Sequence, residues 1–352
     1  MREEGRRGPT IAKTACGSFS LSAPRIASAP DGLVAHWSDV PAWITLPLFG
    51  KRPVPLSEEE RQAEAVDLER IGRGGIPLGA EQRLKGIATA SSPVFSSDLS
   101  AKEYAIAHTS GLTPIAQIMG SSVVQHGWQN YGWSSYGGGI QETASFATPW
   151  NLSRQRSFDR LRQEAEFAGA DAVIGIEMTT NSFLGDPGNV EYVVFGTAVR
   201  DTALPRRSER SGPRMCALSA QDVDKLRRIG AETLGVIGHT SVVSVALSPQ
   251  ANQMMRSWWG NQEMTEVTQG VYAARRLAMD EVLRQASAVG ANDMVISTLT
   301  HQIHHREYES PGYTRHFFII FMHVLGTAIR LGAHEPHPAP LGTPVLSINL
   351  GA

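Results

Sequence analysis

Thiols are almost missing from this chain. Cys16 and Cys216 are its two cysteines in 352 residues. That is too few for a disulfide framework or a four-thiolate metal site. The scarcity fits a reducing compartment, and a cytoplasmic protein is expected. An excess of one charge is missing too: 32 Lys and Arg stand against 34 Asp and Glu, a net charge of −2. An electrostatic nucleic-acid binder would show a basic stripe, so no nucleic acid is expected as a partner. Long apolar runs are lacking as well. The most apolar stretch, 317–329, is interrupted by His323 and Gly326. A membrane span needs about 18 apolar residues or more, so none is expected. Arg6 and Arg7 are followed by no apolar core of the secretory type.

Catalytic signatures are also wanting. The chain has no CxxC, HExxH, GxxxxGK[ST] or GxSxG. The run from Gly72 to Pro77 misses the dinucleotide fingerprint because its sixth position is proline. Titratable groups are scattered, where an enzyme would converge them in a pocket. A non-catalytic protein is expected; an enzyme with a site at a subunit seam is the rival.

What is present is a foldable core. Hydrophobic residues make up 41% of the chain, and the length suggests two domains. Residues 1–55, rich in Pro, Ser, Gly and Arg, read as a disordered or loosely docked N-terminal arm. Residues 56–95 read as a helical lead-in. Within it, 57–71 predicts a charged helix, with Ser57 as N-cap, Glu60 completing a capping box and Gly72, Gly74 and Gly75 ending it. A shorter helix is predicted over 78–85.

The decisive pattern is internal repetition. Residues 99–124 align without a gap on 218–243, sharing Leu99/Leu218, Ser100/Ser219, Ala101/Ala220, Gly111/Gly230 and Val123/Val242 among others. Residues 158–175 align on 279–297, with one residue inserted in the second copy near Gly290–Asp293. Both copies close on Gly-Thr-Ala, at Gly196 and Gly326. Each copy predicts a serine-capped helix, a strand (115–124 or 234–245), a long amphipathic helix and two further strands, the last over 190–200 or 316–331. The fold class is therefore α+β: two tandem β-α-β-β units, repeat 1 over 96–201 and repeat 2 over 216–331, each with a leading helix. A linker covers 202–215 and a Pro-rich C-terminal tail 332–352. Residues 317–322 are apolar at every position, which predicts a strand buried on both faces. One helix covers one face, so the copies must pack together or the chain must oligomerise.

Gly169-Ala170-Asp171-Ala172 after a helix, the closing Gly196-Thr197-Ala198-Val199, and in the second copy 266–275, Gly290-Ala291 and Gly326-Thr327-Ala328 resemble the YbjQ-like family, whose members carry the label "putative heavy-metal-binding domain". The lead-in 67–78 is similar to that of the family's longer tandem members. The resemblance implies a dodecin-like fold, a ring-like homo-oligomer and a metal ligand.

Two residue groups are candidates for binding. His301, His304, His305 and His316 crowd one end of the second copy. Imidazole is a common ligand of borderline divalent metals such as Zn, Ni or Cu. If 301–305 is strand, His301 and His305 lie about 13 Å apart, too far to share one ion. If it is helix, His301, His304 and His305 converge. A hairpin through Ser310-Pro311-Gly312 would bring His316 opposite. The bland alternative is a polar hairpin with incidental histidines. The second group is the glycine-rich loop carrying Trp128, Tyr131, Trp133 and Tyr136, with Trp258 and Trp259 at the matching place in the second copy. Rigid aromatics suit contact with a small ligand or protein partner; internal packing explains them equally. Charged positions on the two long helices, Arg154, Asp159, Arg162 and Glu164 with Arg275, Asp280 and Arg284, read as surface ion pairs; a site at a seam between the units is the alternative.

Overall fold

A computed structural model describes residues 57–90, 96–97, 99–125, 139–183, 189–204, 212–256, 261–310 and 313–332. The expected arm, the C-terminal tail and all six aromatics of the glycine-rich loops lie outside these residues. The chain divides at Leu56/Ser57, and all that follows concerns the second unit.

The lead-in forms α1 (Glu58–Gly72) and α2 (Leu78–Thr89). Ser57 and Glu60 make both bonds of the capping box, so the serine and the acid satisfy two otherwise orphaned backbone donors. The rest of the described chain is mixed α+β. One sheet holds β1 (Leu112–Gln125), β3 (Ala172–Phe183), β4 (Asn189–Asp201) and β5 (Arg214–Met215), in the order β1-β4-β3-β5. The other holds β2 (Gly139–Glu142), β6 (Ala231–Ala246), β7 (Asp293–Ser310) and β8 (Tyr313–Leu331), in the order β2-β6-β8-β7. The helices α3 (Ala101–Thr109) and α5 (Ala220–Arg228) lead into β1 and β6, and each takes a serine N-cap, Ser100 and Ser219. The long helices are α4 (Ala144–Phe167) and α7 (Thr265–Ala288), and a short α6 (Pro249–Arg256) follows β6.

The two sheets pair their strands at matching positions. Ala116 faces Ala198 as Gly235 faces Ala328, and bulges fall at Pro114/Ala116 and at Thr233/Gly235. Gly111 and Gly230 share φ near +76° and +75°, and Gly169 and Gly290 share +72° and +74°; each ends a helix where an L side chain would be strained. The Asp171 carboxylate accepts from the Asp201 N–H at 3.1 Å, and the Asn292 amide oxygen from the Leu331 N–H at 2.8 Å. Asp171 and Asn292 thus occupy one place. The insertion expected near Gly290–Asp293 is absent. The strands stay in step beyond it, with equivalent bulges at Ile174/Glu177 and Ile296/Thr298.

The sheets have four strands where three were expected, because two short connections cross between them. β5, ahead of α5, lies parallel to β3, and β2, ahead of α4, lies against β6. α4 starts upstream of its expected stripe, and its first turns touch the other sheet. Its C-terminal half packs on β1, where Gly120 lets the helix backbone come close: a Cβ there would meet the Ser157 carbonyl and, at 2.7 Å, the Leu161 nitrogen. Its N-terminal half packs on the second sheet. Trp150, 1% exposed, meets His323 edge-on at 4.8 Å and Phe321 at 5.7 Å between ring centroids. The Asn151 amide takes both backbone groups of Thr240, accepting at 3.1 Å and donating at 2.8 Å. The opposite face of that sheet is covered by α7, with Val243, Val245, Ile320, Ala274 and Val282 in one cluster. The strand β8 is therefore buried on both faces, as its composition requires.

His323 lies in this seam. Its Nδ1 is 2.9 Å from the Thr240 hydroxyl, and its Nε2 is buried with no hydrogen-bond partner among the described residues. Burial pushes its pKa down from 6.5 to about 4. The fold holds the ring neutral, whereas the unfolded chain protonates it near 6.5. Between pH 6.5 and 4 the unfolded state binds the extra proton, so stability falls with pH through that window and levels off below it. His323→Phe is expected to flatten this acid limb, which urea melts at pH 7 and pH 5 would read. An unchanged pH dependence would remove His323 as its source.

Candidate metal centre

The histidine-rich stretch is strand throughout. β7 runs unbroken through 301–305 and returns through a tight hairpin in which Ser310 pairs with Tyr313. The register then decides which histidines meet. Glu307 lies opposite His316, and His305 opposite Phe318; side chains two apart on a strand share a face, so His305, Glu307 and His316 converge. His305 Nε2 lies 3.0 Å from His316 Nδ1, and the Glu307 carboxylate lies 3.5 Å from His316 Nδ1 and 3.8 Å from His305 Nε2. All three donor atoms fall within 4.8 Å of one another, and theirs is the group of three such donors found among the described residues.

The surroundings hold these rings in place. His305 stacks on His316 and on Phe318, with centroids 5.1 and 4.8 Å apart. The His316 N–H donates to the Asn252 side-chain oxygen of α6 at 3.0 Å, which ties that helix to the base of the hairpin. His316 is buried, while His305 and Glu307 are exposed, so the cluster opens to solvent on one side. One ring must carry its proton on the shared His305–His316 edge for the hydrogen bond between them; a cation would replace that proton.

Two expected ligands fall elsewhere. His301 pairs with Met322, four residues from His305 along the strand, and does not join the donors. His304 points through the opposite face, where its ring meets Phe321 at 5.2 Å and burial with the Arg306 charge lowers its pKa. The helical alternative that would have gathered His301, His304 and His305 does not occur. Glu307 is the donor that counting histidines missed; its signal was its alternation with His305.

The donor set fits a divalent ion on geometry. Two ligands about 2.0–2.1 Å from one tetrahedral ion stand about 3.3 Å apart, and the three separations here are 3.0, 3.5 and 3.8 Å. Three other titratable groups are engaged elsewhere, while Arg154, expected in a surface ion pair, has its Nε buried and unpartnered among the described residues. Cys216 is buried beside Thr327, and burial pushes its thiol up to about 11. Glu281 is drawn down to about 2, chiefly by its hydrogen bond with Arg284; Arg284, one of the positions expected in surface ion pairs, does pair, with Glu281 as its partner. Glu164 is buried instead, and its carboxylate accepts from the Met119 N–H at 2.9 Å.

Comparison with known proteins places the chain. The family described as "Putative heavy-metal-binding" matches residues 100–202. A protein of Mycobacterium tuberculosis named encapsulin nanocompartment protein Rv1762c is 31% identical over 226 residues, which span 62% of this chain and 84% of that protein. The chain belongs to the YbjQ-like family. Two methanococcal members named UPF0145 proteins match shorter segments. That of Methanococcus vannielii is 44% identical over 58 residues, 16% of this chain and 53% of its own length. That of Methanococcus maripaludis is 38% identical over 59 residues, 17% and 51%. The donor cluster lies outside 100–202, in the second sheet.

No helix among the described residues is long and apolar enough to cross a membrane.

Proposed function

We propose that this protein is a non-catalytic, oligomeric binding protein of two tandem dodecin-like units, 96–201 and 216–331, whose second unit holds one divalent transition-metal ion on His305, Glu307 and His316. The convergence of two imidazoles and a carboxylate at the mouth of the β7–β8 hairpin carries this reading. Matching registers and bulges in the two sheets support the tandem units. The label of the family supports a metal, and the nanocompartment name of the mycobacterial relative supports assembly. Two nitrogens and an oxygen suit Zn, Ni or Cu, with a fourth position left to water or a ligand. In the cavity of about 400 Å³ where the sheets meet α5, Arg227 pairs with Asp201 and Arg214 with Glu232, so its charges neutralise one another and offer no free acid or base. We place the protein in the cytoplasm.

Isothermal titration of tag-free protein with zinc and with nickel chloride is the test. One site per chain is expected at micromolar protein. His316→Ala and His305→Ala should each weaken it by at least tenfold, while His301→Ala and His304→Ala leave it unchanged. No heat from the wild type, or equal loss in all four variants, would overturn the assignment.

A further inference from the structure

Arg154 carries a charge that no neighbour balances. It stands on α4 where that helix and α7 both meet the edge of β6. The strand β2 covers this edge from Val243 to Ala246 only. Farther along, two amides stand in for a strand: Asn151 of α4 takes both backbone groups of Thr240, and Gln285 of α7 accepts from the Gly238 N–H at 3.1 Å. Arg154, a turn after Asn151, lies over Gly238, where a Cβ would stand 3.7 Å from its Nη1. Its Nε is buried without a partner, and none of its nitrogens has a hydrogen bond or ion pair among the described residues. Glu281 of α7 acts on it through space, but that carboxylate is held by Arg284 at 2.8 and 2.6 Å and by Gln285 at 3.0 Å. The Tyr192 phenol donates to the Met178 sulfur at 2.7 Å, and burial keeps it protonated. His239 is half-buried, and burial with the Arg154 charge lowers its pKa and favours the neutral ring. Arg154 and Arg284 against Glu281 leave one positive charge over.

We propose that this edge of β6 is a binding site for a small monoanionic carboxylate, held by the Arg154 guanidinium between α4 and α7. A charge drawn out of water without a partner is costly, and an unsatisfied buried donor in a native fold calls for one. The planar guanidinium presents parallel N–H donors that match the two oxygens of a carboxylate. Glu281 sets the charge of the ligand. One negative charge cancels the surplus, whereas a dianion would be repelled by the Glu281 carboxylate. The bare backbone of Gly238 lets the guanidinium lie close to the strand. The site goes beyond the proposed function and does not depend on it. Gly238 pairs with Leu325 in the body of the sheet, whereas the donor cluster stands at the hairpin end of β7 and β8.

Isothermal titration of the full chain with sodium acetate and with sodium sulfate, at constant ionic strength, tests this. The protein is first stripped of metal over a chelating resin, so the result is independent of the donor cluster. Acetate is expected to bind once per chain and to raise the melting midpoint, and sulfate to bind more weakly. Arg154→Leu should abolish the acetate heat. Arg154→Lys should weaken binding by about tenfold, because an ammonium cannot present the fork. Glu281→Gln removes the negative charge facing the site, so it should tighten both anions, sulfate more than acetate. No acetate heat from the wild type, undiminished heat from Arg154→Leu, sulfate bound as tightly as acetate, or unchanged affinities in Glu281→Gln would each overturn the site. The Glu281→Gln comparison decides the matter even if Arg154→Leu fails to fold.

Discussion

Trp150→Ala is expected to destabilise the protein by about 3–5 kcal/mol, the range for truncating a fully buried large aromatic. The indole is 1% exposed and stands between α4 and the second sheet, against Phe321 and His323. Its loss opens a cavity at the place where α4 meets the second sheet. The Asn151–Thr240 bonds lie next to it on the same helix and strand, so collapse of the cavity would strain them. Thermal melts and urea titrations at pH 7 should show a lower midpoint, with near-ultraviolet dichroism lost along with it. A loss below about 1 kcal/mol would mean that the seam does not depend on this side chain. Trp150→Phe, which keeps an aromatic ring against His323, should lose much less.

Gly120→Ala is expected to be as damaging by the opposite route. The added methyl would press on the Ser157 carbonyl and the Leu161 nitrogen of α4. Both are backbone atoms in the middle of a helix, so no side chain can turn aside. Helix and sheet must separate, and the buried hydroxyl bonds from Ser153 to the Ser122 carbonyl and from Ser157 to the Tyr192 carbonyl, at 2.7 and 2.6 Å, would stretch with them. A cost of about 3 kcal/mol, at the upper end for overpacking, is expected. The control is Gly86→Ala on the exposed side of α2, where a Cβ meets nothing within 4 Å; there the helix should gain about 0.5–1 kcal/mol. Equal melting shifts for the two substitutions would refute the close approach of α4 to β1.

Local pattern made much of this readable in advance. The charged lead-in helix, its capping box and its glycine stop depend only on neighbours in sequence, and all three stand where their residues put them. The helix-ending Gly111, Gly169, Gly230 and Gly290 likewise act within a turn. Residues 317–322, apolar without alternation, announced a strand hidden on both sides. The first turns of α4 could not be read this way. Phe146, Ala147, Trp150, Ser153 and Ser157 are buried along one stripe at three- and four-residue steps, but two of its positions are serines whose hydroxyls bond the Ser122 and Tyr192 carbonyls, so the stripe does not read as apolar. β2 and β5 were equally hidden, since strands of four and two residues are too short to show a period.

The sequence alone determined the α+β class, the duplicated pattern and the need for a second cover over the β8 strand, because hydrophobic period and glycine position act over a few residues. It also placed a cluster of histidines in the stretch that forms β7 and β8. Only the tertiary structure decided that α4 supplies that cover and that His305 and His316 meet with Glu307 while His301 and His304 do not. The reason is register: one residue of slip in a hairpin turns every side chain to the other face, and that choice is made by the packing of the whole sheet.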